Sequence, residues 1–217
     1  MKLESTGILI GLKPFGERDC IAHVFTRDFG ILCGMLKGAQ VAKKKRPLVG
    51  HAGAVAWNAR LDSQLGTFHF EAEKNLAAKL MADQKSLSFM NAAFALIAAL
   101  LPEREKYDSL YDLTLNLLLS GESRIARGDY LDWEKSLLQE LGYALDIGKC
   151  CNCGCKSRLN YLSPKTGRAV CDDCARPFAD KLLRLPIALS LTRKFLEDIC
   201  ASQGATLPWA RRMLRDA

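Results

Sequence analysis

"GILIGLKPFGERDCIAHVFTRDFGILCGMLKGAQ", residues 7–40, decides the fold. GILIGLK (7–13) is an apolar run of strand length. In RDCIAHVFT (18–26), Cys20, Ala22 and Val24 fall on one face, and Ile21, His23 and Phe25 on the other. That alternation is the period of a strand. TRDFG (26–30) reads as a turn, with Asp28 offering a side-chain bond and Gly30 the φ > 0 position. ILCGMLK (31–37) is then the return strand of a hairpin.

The pattern continues outward. AVAWNARL (54–61) and TFHFEAE (67–73) form a second apparent hairpin across DSQLG. Phe68 and Phe70 alternate with His69 and Glu71, as in a half-buried strand. Five short strands in about 75 residues predict a small β-barrel, with the OB-fold as the leading candidate. After Asn75 the period becomes helical. Leu80, Leu87, Met90, Phe94 and Ile97 predict one helix over 76–101, stopped by PERE (102–105). Leu110, Leu113, Leu117 and Leu118 mark a second helix, closed by Ser120-Gly121. Tyr130, Trp133, Leu137, Leu138 and Leu141 mark a third, closed by Gly142. A further helix is expected near 190–200, then a short basic segment. The expected class is α+β and multidomain. It has an OB-fold β-barrel over 1–78, an all-helical domain over 79–147 and 176–217, and a zinc-ribbon-like insertion over 148–175.

The 217 residues are 49% hydrophobic and 25% charged, the composition of an ordinary globular protein that can bury its own core. No apolar leader follows the N-terminus. The longest apolar run, 92–101, is too short to cross a bilayer. The expectation is a cytoplasmic protein with reduced thiols and no membrane partner. Cys20, Cys33 and Cys200 stand apart on apolar segments and read as small buried hydrophobes. The net charge of +7 is uneven. Residues 1–80 carry 12 Lys/Arg against 7 Asp/Glu, 81–147 carry 6 against 11, and 148–217 carry 13 against 6. Two basic ends around an acidic middle suggest a polyanion partner.

Six of the nine cysteines fall in "CCNCGCKSRLNYLSPKTGRAVCDDC", residues 150–174. Cys150-x2-Cys153-Gly154 and Cys171-x2-Cys174 are two knuckles 17 residues apart, the spacing of a four-thiolate zinc ribbon. Four thiolates leave no open position for water, so one structural Zn²⁺ is expected rather than metal catalysis. Lys149, Lys156, Arg158, Lys165 and Arg168 would offset the negative charge of such a cluster. Glycine after Cys153 suits the tight turn and favours Cys150 and Cys153 as ligands. Cys151 or Cys155 could take the place of either.

GAQVAKKKRP (38–47) carries Lys43, Lys44, Lys45 and Arg46 in a row on a loop between the third and fourth strands. Such a run can reach phosphates from several directions. On a five-stranded barrel, loops bracket the face that carries single-stranded nucleic acid. Lys13, Arg18, Arg27 and Lys37 sit at strand ends nearby and complete the expected nucleic-acid-binding set. Phe15 and Phe29, in turns, could stack bases, whereas Trp57 reads as core. There is no P-loop, GxSxG or HExxH, and no catalytic residue is assigned.

The chain resembles the bacterial DNA repair and recombination protein RecO family close to full length. The resemblance rests on residues 7–40 with their TRDFG turn, on LLQELGYALDIGKC (137–150), and on YLSPKTGRAV (161–170), in that order. It implies an OB-fold, a helical domain and a zinc-binding insertion. It also implies binding to single- and double-stranded DNA, and annealing of complementary strands. The implied partners are RecR and the acidic tail of single-stranded DNA-binding protein (SSB), with RecA loaded at gaps. The resemblance implies no catalysis, and a place on the nucleoid. Two other readings compete. One is a zinc-ribbon protein–protein adaptor whose basic patches are incidental. The other is a thiol redox enzyme, which requires an exposed low-pKa cysteine.

Overall fold

The computed structural model describes residues 1–41, 47–60, 65–119 and 124–216. The chain divides into two compact units, Met1–Ala126 and Arg127–Ala217. The division falls within the helical region, after residue 126.

The first unit begins with a closed barrel: β1 (Lys2–Phe15), β2 (Asp19–Thr26), β3 (Gly30–Leu36), β4 (His51–Asn58) and β5 (Gly66–Asn75), in the order β1-β2-β3-β5-β4. β1 is longer than its apolar run because it serves two partners. Its first half pairs with β4, from Lys2↔Asn58 to Ile8↔Ala52. Its second half pairs with β2, from Gly7↔Thr26 to Phe15↔Asp19. A register shift between Leu9 and Gly11 marks the bend between them. β3 runs parallel to β5, with Gly34↔Gly66 and Leu36↔Phe68, and this closes the barrel.

Leu9, Cys20, Ala22, Val24, Leu32, Val55, Trp57 and Phe68 fill the interior. Of the two faces that alternate in β2, the one with Cys20, Ala22 and Val24 is therefore the inner one. Ile8, Ile10, Phe25 and Ile31 on the outer face are buried as well. Phe25 meets Tyr111 edge-on at 5.5 Å. Both faces of this part of the sheet are thus covered, which explains why residues 7–10 are apolar without alternation.

The single helix expected over 76–101 is two. α1 (Ala77–Leu80) is followed by a break and then α2 (Gln84–Leu100). The Asp83 carboxylate makes the break by accepting from the Ser86 N–H at 2.9 Å and its hydroxyl at 2.6 Å, an N-cap that restarts the helix. α3 (Asp108–Leu119) completes the helices of this unit. The expected closing pair Ser120-Gly121 lies outside the described residues.

The turn at 26–30 differs in one detail. Thr26 supplies the side-chain bonds, with its hydroxyl donating to the Gly30 carbonyl at 2.8 Å and accepting from the Phe29 N–H. Asp28 instead accepts from Ser5 at 2.6 Å. Gly30 has φ +61°, and a Cβ there would stand 1.8 Å from the Glu105 carbonyl oxygen. Gly16 has the same φ and nothing within 4 Å. Gly16→Ala therefore costs only the left-handed backbone, about 1 kcal/mol. Gly30→Ala also displaces the 102–105 segment and costs about 2 kcal/mol or more. Urea midpoints of the two variants check this, and equal midpoints would refute the contact.

The second unit holds α4 (Arg127–Glu140), α5 (Asp172–Ala175), α6 (Leu189–Ser202) and α7 (Trp209–Arg212), with a small sheet of β6 (Tyr161–Leu162), β7 (Ala169–Val170) and β8 (Leu183–Arg184) in the order β7-β6-β8. α4 ends at Gly142, φ +85°, where the Tyr143 N–H donates to the Leu138 carbonyl. The C-terminal segment, expected to be short and basic, hides one of its arginines completely. Arg211 is 0% exposed and forms an ion pair with Glu134, also 0% exposed. Its Nη2 donates to Glu134 Oε2 at 3.0 Å and to the Leu189 carbonyl at 2.7 Å. The Thr192 hydroxyl donates to the same carboxylate at 2.6 Å, and the Tyr130 hydroxyl at 3.1 Å. The Asp216 carboxylate accepts from the Leu189 and Ser190 N–H groups at 2.8 Å each, capping α6 from a distant part of the chain. Among the described residues no helix is long and apolar enough to cross a membrane.

Candidate metal centre and nucleic-acid surface

The cysteine module is built by two turns and a hairpin. Gly154, φ +74°, donates its N–H to the Cys150 carbonyl at 2.9 Å, and the Cys150 N–H donates to the Cys155 carbonyl at 2.8 Å. This folds the first knuckle. β6 and β7 turn at Gly167 and carry the chain back, so that Cys171 stands as the N-cap residue of α5. The sulfurs of Cys150, Cys153, Cys171 and Cys174 then all lie within 4.8 Å of one another. Cys153 and Cys171 are 3.6 Å apart. Cys150 and Cys171 are buried, Cys174 is half-buried and Cys153 is exposed.

Cys151 and Cys155 stand outside this set. Cys151 is exposed and held by its own N–H to the Ala169 carbonyl. Cys155 is half-buried and donates to the Ser157 carbonyl at 3.5 Å. Asp172 and Asp173 shape the surroundings. Asp172 accepts from the Asn160 amide at 3.0 Å, and Asp173 pairs with Arg158 at 2.7 Å and Arg176 at 3.1 Å.

The thiols compete for charge. N–H groups of Cys153 and Cys171 draw Cys150 down to about 6, and the Cys174 N–H draws Cys171 below the usual thiol range. Cys174 receives a favourable bond from the Asn152 side chain, yet Cys153 and Cys171 push it up to about 12. The same two neighbours push Cys155 up to about 12. Sulfurs this close cannot all ionise unless a cation sits among them. The donor set fits a divalent ion that takes tetrahedral thiolates and leaves no open position.

The expected nucleic-acid residues are partly brought together. Lys13, Arg18 and Lys37 are exposed at one end of the barrel, where β1 turns into β2 and β3 ends. The chain after Lys37 is stitched to that turn. The Gly38 N–H donates to Asp19 at 2.7 Å, and the Gln40 N–H to the Arg18 carbonyl at 3.0 Å. The Gln40 amide reaches the Gly16 and Asp19 carbonyls. No pattern in the sequence marked Asp19 or Gln40 for this anchoring. Phe15 is 49% exposed at the same end. Lys43, Lys44, Lys45 and Arg46 lie outside the described residues.

Arg27 is not part of this cluster. It sits at the opposite end of the β2–β3 hairpin and pairs with Asp112 at 3.2 Å. Phe29 packs onto the barrel interior rather than offering a face, and Trp57 is core, with 0% exposure.

The N-terminal model of recombination protein O matches residues 1–74, and the C-terminal model matches residues 81–216. The chain belongs to the recombination protein O (RecO) family. It is 38% identical to the DNA repair protein RecO of Rhodospirillum centenum, across 100% of this chain and 94% of that one. It is 36% identical to the DNA repair protein RecO of a Jannaschia species, across 100% and 96%. The protein of that name from Granulibacter bethesdensis is 34% identical, across 96% and 92%. The N-terminal family match spans nearly all of the barrel, and the C-terminal match includes the cysteine module.

Proposed function

We propose that this RecO-family protein is a DNA-binding recombination mediator in DNA repair. It anneals complementary strands and, with RecR, helps load RecA onto SSB-coated single-stranded DNA. Residues 1–78 act as an OB-fold domain. The strand order β1-β2-β3-β5-β4, with β3 parallel to β5, supports that assignment. The observation that carries the reading is the exposed cation set Lys13, Arg18 and Lys37 at the barrel end that leads into Lys43–Arg46. Lys43, Lys44, Lys45 and Arg46 extend that set, and Arg27 contributes at most a separate contact. Residues 148–175 form a zinc ribbon around one structural Zn²⁺, held by Cys150, Cys153, Cys171 and Cys174. The helical segments over 79–147 and 176–217, which fall in both compact units, dock RecR and the acidic SSB tail. The protein works in the cytoplasm on the nucleoid and catalyses no reaction.

Annealing of SSB-coated complementary oligonucleotides without nucleotide, weakening as salt rises, is the expected result. No annealing of coated or naked strands would overturn the reading. Charge reversal of Lys43, Lys44, Lys45 and Arg46 flattens the salt dependence of single-strand binding by a log–log slope of roughly three. An unchanged slope would remove that loop from the DNA surface. A protein-docking adaptor is the second reading, favoured by Trp209 and Met213, 68% and 53% exposed beside Arg212. Under it, the annealing assay fails while partner binding persists.

A further inference from the structure

His23 and Cys33 are directly opposed across β2 and β3 and point outward from the barrel. The Cys33 sulfur lies 3.5 Å from His23 Nε2. A third group arrives from elsewhere. After α2 the chain runs back along β3, with Glu103 bridged to Ile31 and the Arg104 N–H donating to the Ile31 carbonyl at 3.0 Å. Donor atoms of His23, Cys33 and Glu103 all lie within 4.8 Å of one another.

The three positions are held firmly. Gly11 stands opposite His23 on β1, and a Cβ built on it would meet the imidazole only at ordinary contact distance, so the ring lies beside that strand. The Cys33 carbonyl accepts from Trp57 Nε1 at 2.9 Å, and the Arg104 guanidinium sits over the same indole at 4.8 Å. Gly30 admits the Glu105 backbone where any side chain would clash. Cys33 and His23 are half-buried and Glu103 is exposed, so an ion can enter from solvent.

A nucleophilic Cys–His pair is the other chemistry this contact could serve. Burial and the Glu103 carboxylate both push the Cys33 thiol up, which disfavours the reactive thiolate that such chemistry needs. One soft sulfur, one imidazole and one carboxylate converging at metal-ligand spacing suit a borderline divalent ion.

We propose that His23, Cys33 and Glu103 form a second metal site, taking a zinc-class divalent ion with a fourth position left to water. Binding releases the Cys33 thiol proton to solvent and forms a sulfur–metal bond. Three protein ligands and an open position make this site exchangeable, unlike a closed four-thiolate centre. The ion fastens the chain between α2 and α3 to the wall of the barrel.

Cobalt(II) separates the two sites. The full chain carrying Cys153→Ser and Cys171→Ser, which removes the four-thiolate set, is expected to bind one Co²⁺ per chain. Its spectrum should show a single-thiolate charge-transfer band. Adding Cys33→Ser abolishes that band and that equivalent. Adding the solvent-exposed change Glu103→Gln instead weakens binding by about tenfold or more. Zn²⁺ raises the melting temperature of the first unit, and Cys33→Ser abolishes the rise. If the double variant binds no more cobalt than the triple variant, the site does not exist. Binding that survives both Cys33→Ser and Glu103→Gln overturns it equally. Neither result depends on whether Cys150–Cys174 hold zinc or whether the protein anneals DNA.

Discussion

Replacing Glu134 with alanine lowers the stability of the second unit by about 3–5 kcal/mol, the cost of leaving one buried charge without its partner. Arg211 stays fully buried in that variant, and four groups each lose one acceptor: Arg211 Nε and Nη2, the Thr192 hydroxyl and the Tyr130 hydroxyl. The carboxylate also reaches across 77 residues of chain, so its loss loosens the packing of α7 on α4 and α6 as well as removing a charge. Arg211→Met should cost a similar amount. Removing both charges together, with Glu134→Leu and Arg211→Met, is expected to be near neutral, because apolar groups of similar volume avoid the desolvation penalty. A double-mutant cycle read by urea unfolding tests this. Additive losses in the double variant would show that the pair is not energetically coupled.

The second large effect is metal removal. The module's buried apolar cluster is only Cys150, Val170, Cys171 and Ala175, with half-buried residues such as Leu159 and Tyr161 against it, and two of the four are proposed ligands. Its strands are two residues long. Such a core cannot hold residues 148–175 in place alone, whereas zinc binding to small thiolate modules is worth about 10–16 kcal/mol at neutral pH. Chelation, or Cys171→Ser, is expected to abolish amide protection across 148–175 and open it to protease. Protection in the barrel strands stays unchanged, because the barrel has its own interior. Full protection of 148–175 in chelator would show that packing orders the module without metal. Loss of protection throughout the chain would show that the barrel depends on it.

The two faces of β2 were legible because Cys20, Ala22 and Val24 alternate with Ile21, His23 and Phe25, but alternation alone does not say which faces inward; the first three do. The four-cysteine cluster was legible because ligand spacing is local. The first half of β1 was not legible. Residues 2–6 alternate only between exposed and half-buried, and their partner strand lies some fifty residues away. The break before α2 rests on one carboxylate, a weak signal inside a long apolar period. Arg211 reads as one more surface cation because nothing near it in sequence reports Glu134. Cys33 reads as an ordinary core thiol because its neighbour Glu103 comes from a segment that looked only like a helix stop. Contacts between distant residues hide where periodicity and spacing end.

The double pairing of β1 has a consequence for how the chain reaches this state. The hairpin with β2 can form as soon as residue 26 leaves the ribosome. The other edge of β1 must wait for β4, and closure must wait for β5 to lie beside β3. Contacts of such separation are slow to form and leave a strand edge open to other chains meanwhile. That waiting edge carries Lys2 and Glu4, paired with each other and well exposed. Charges placed there discourage a second chain from docking before β4 arrives.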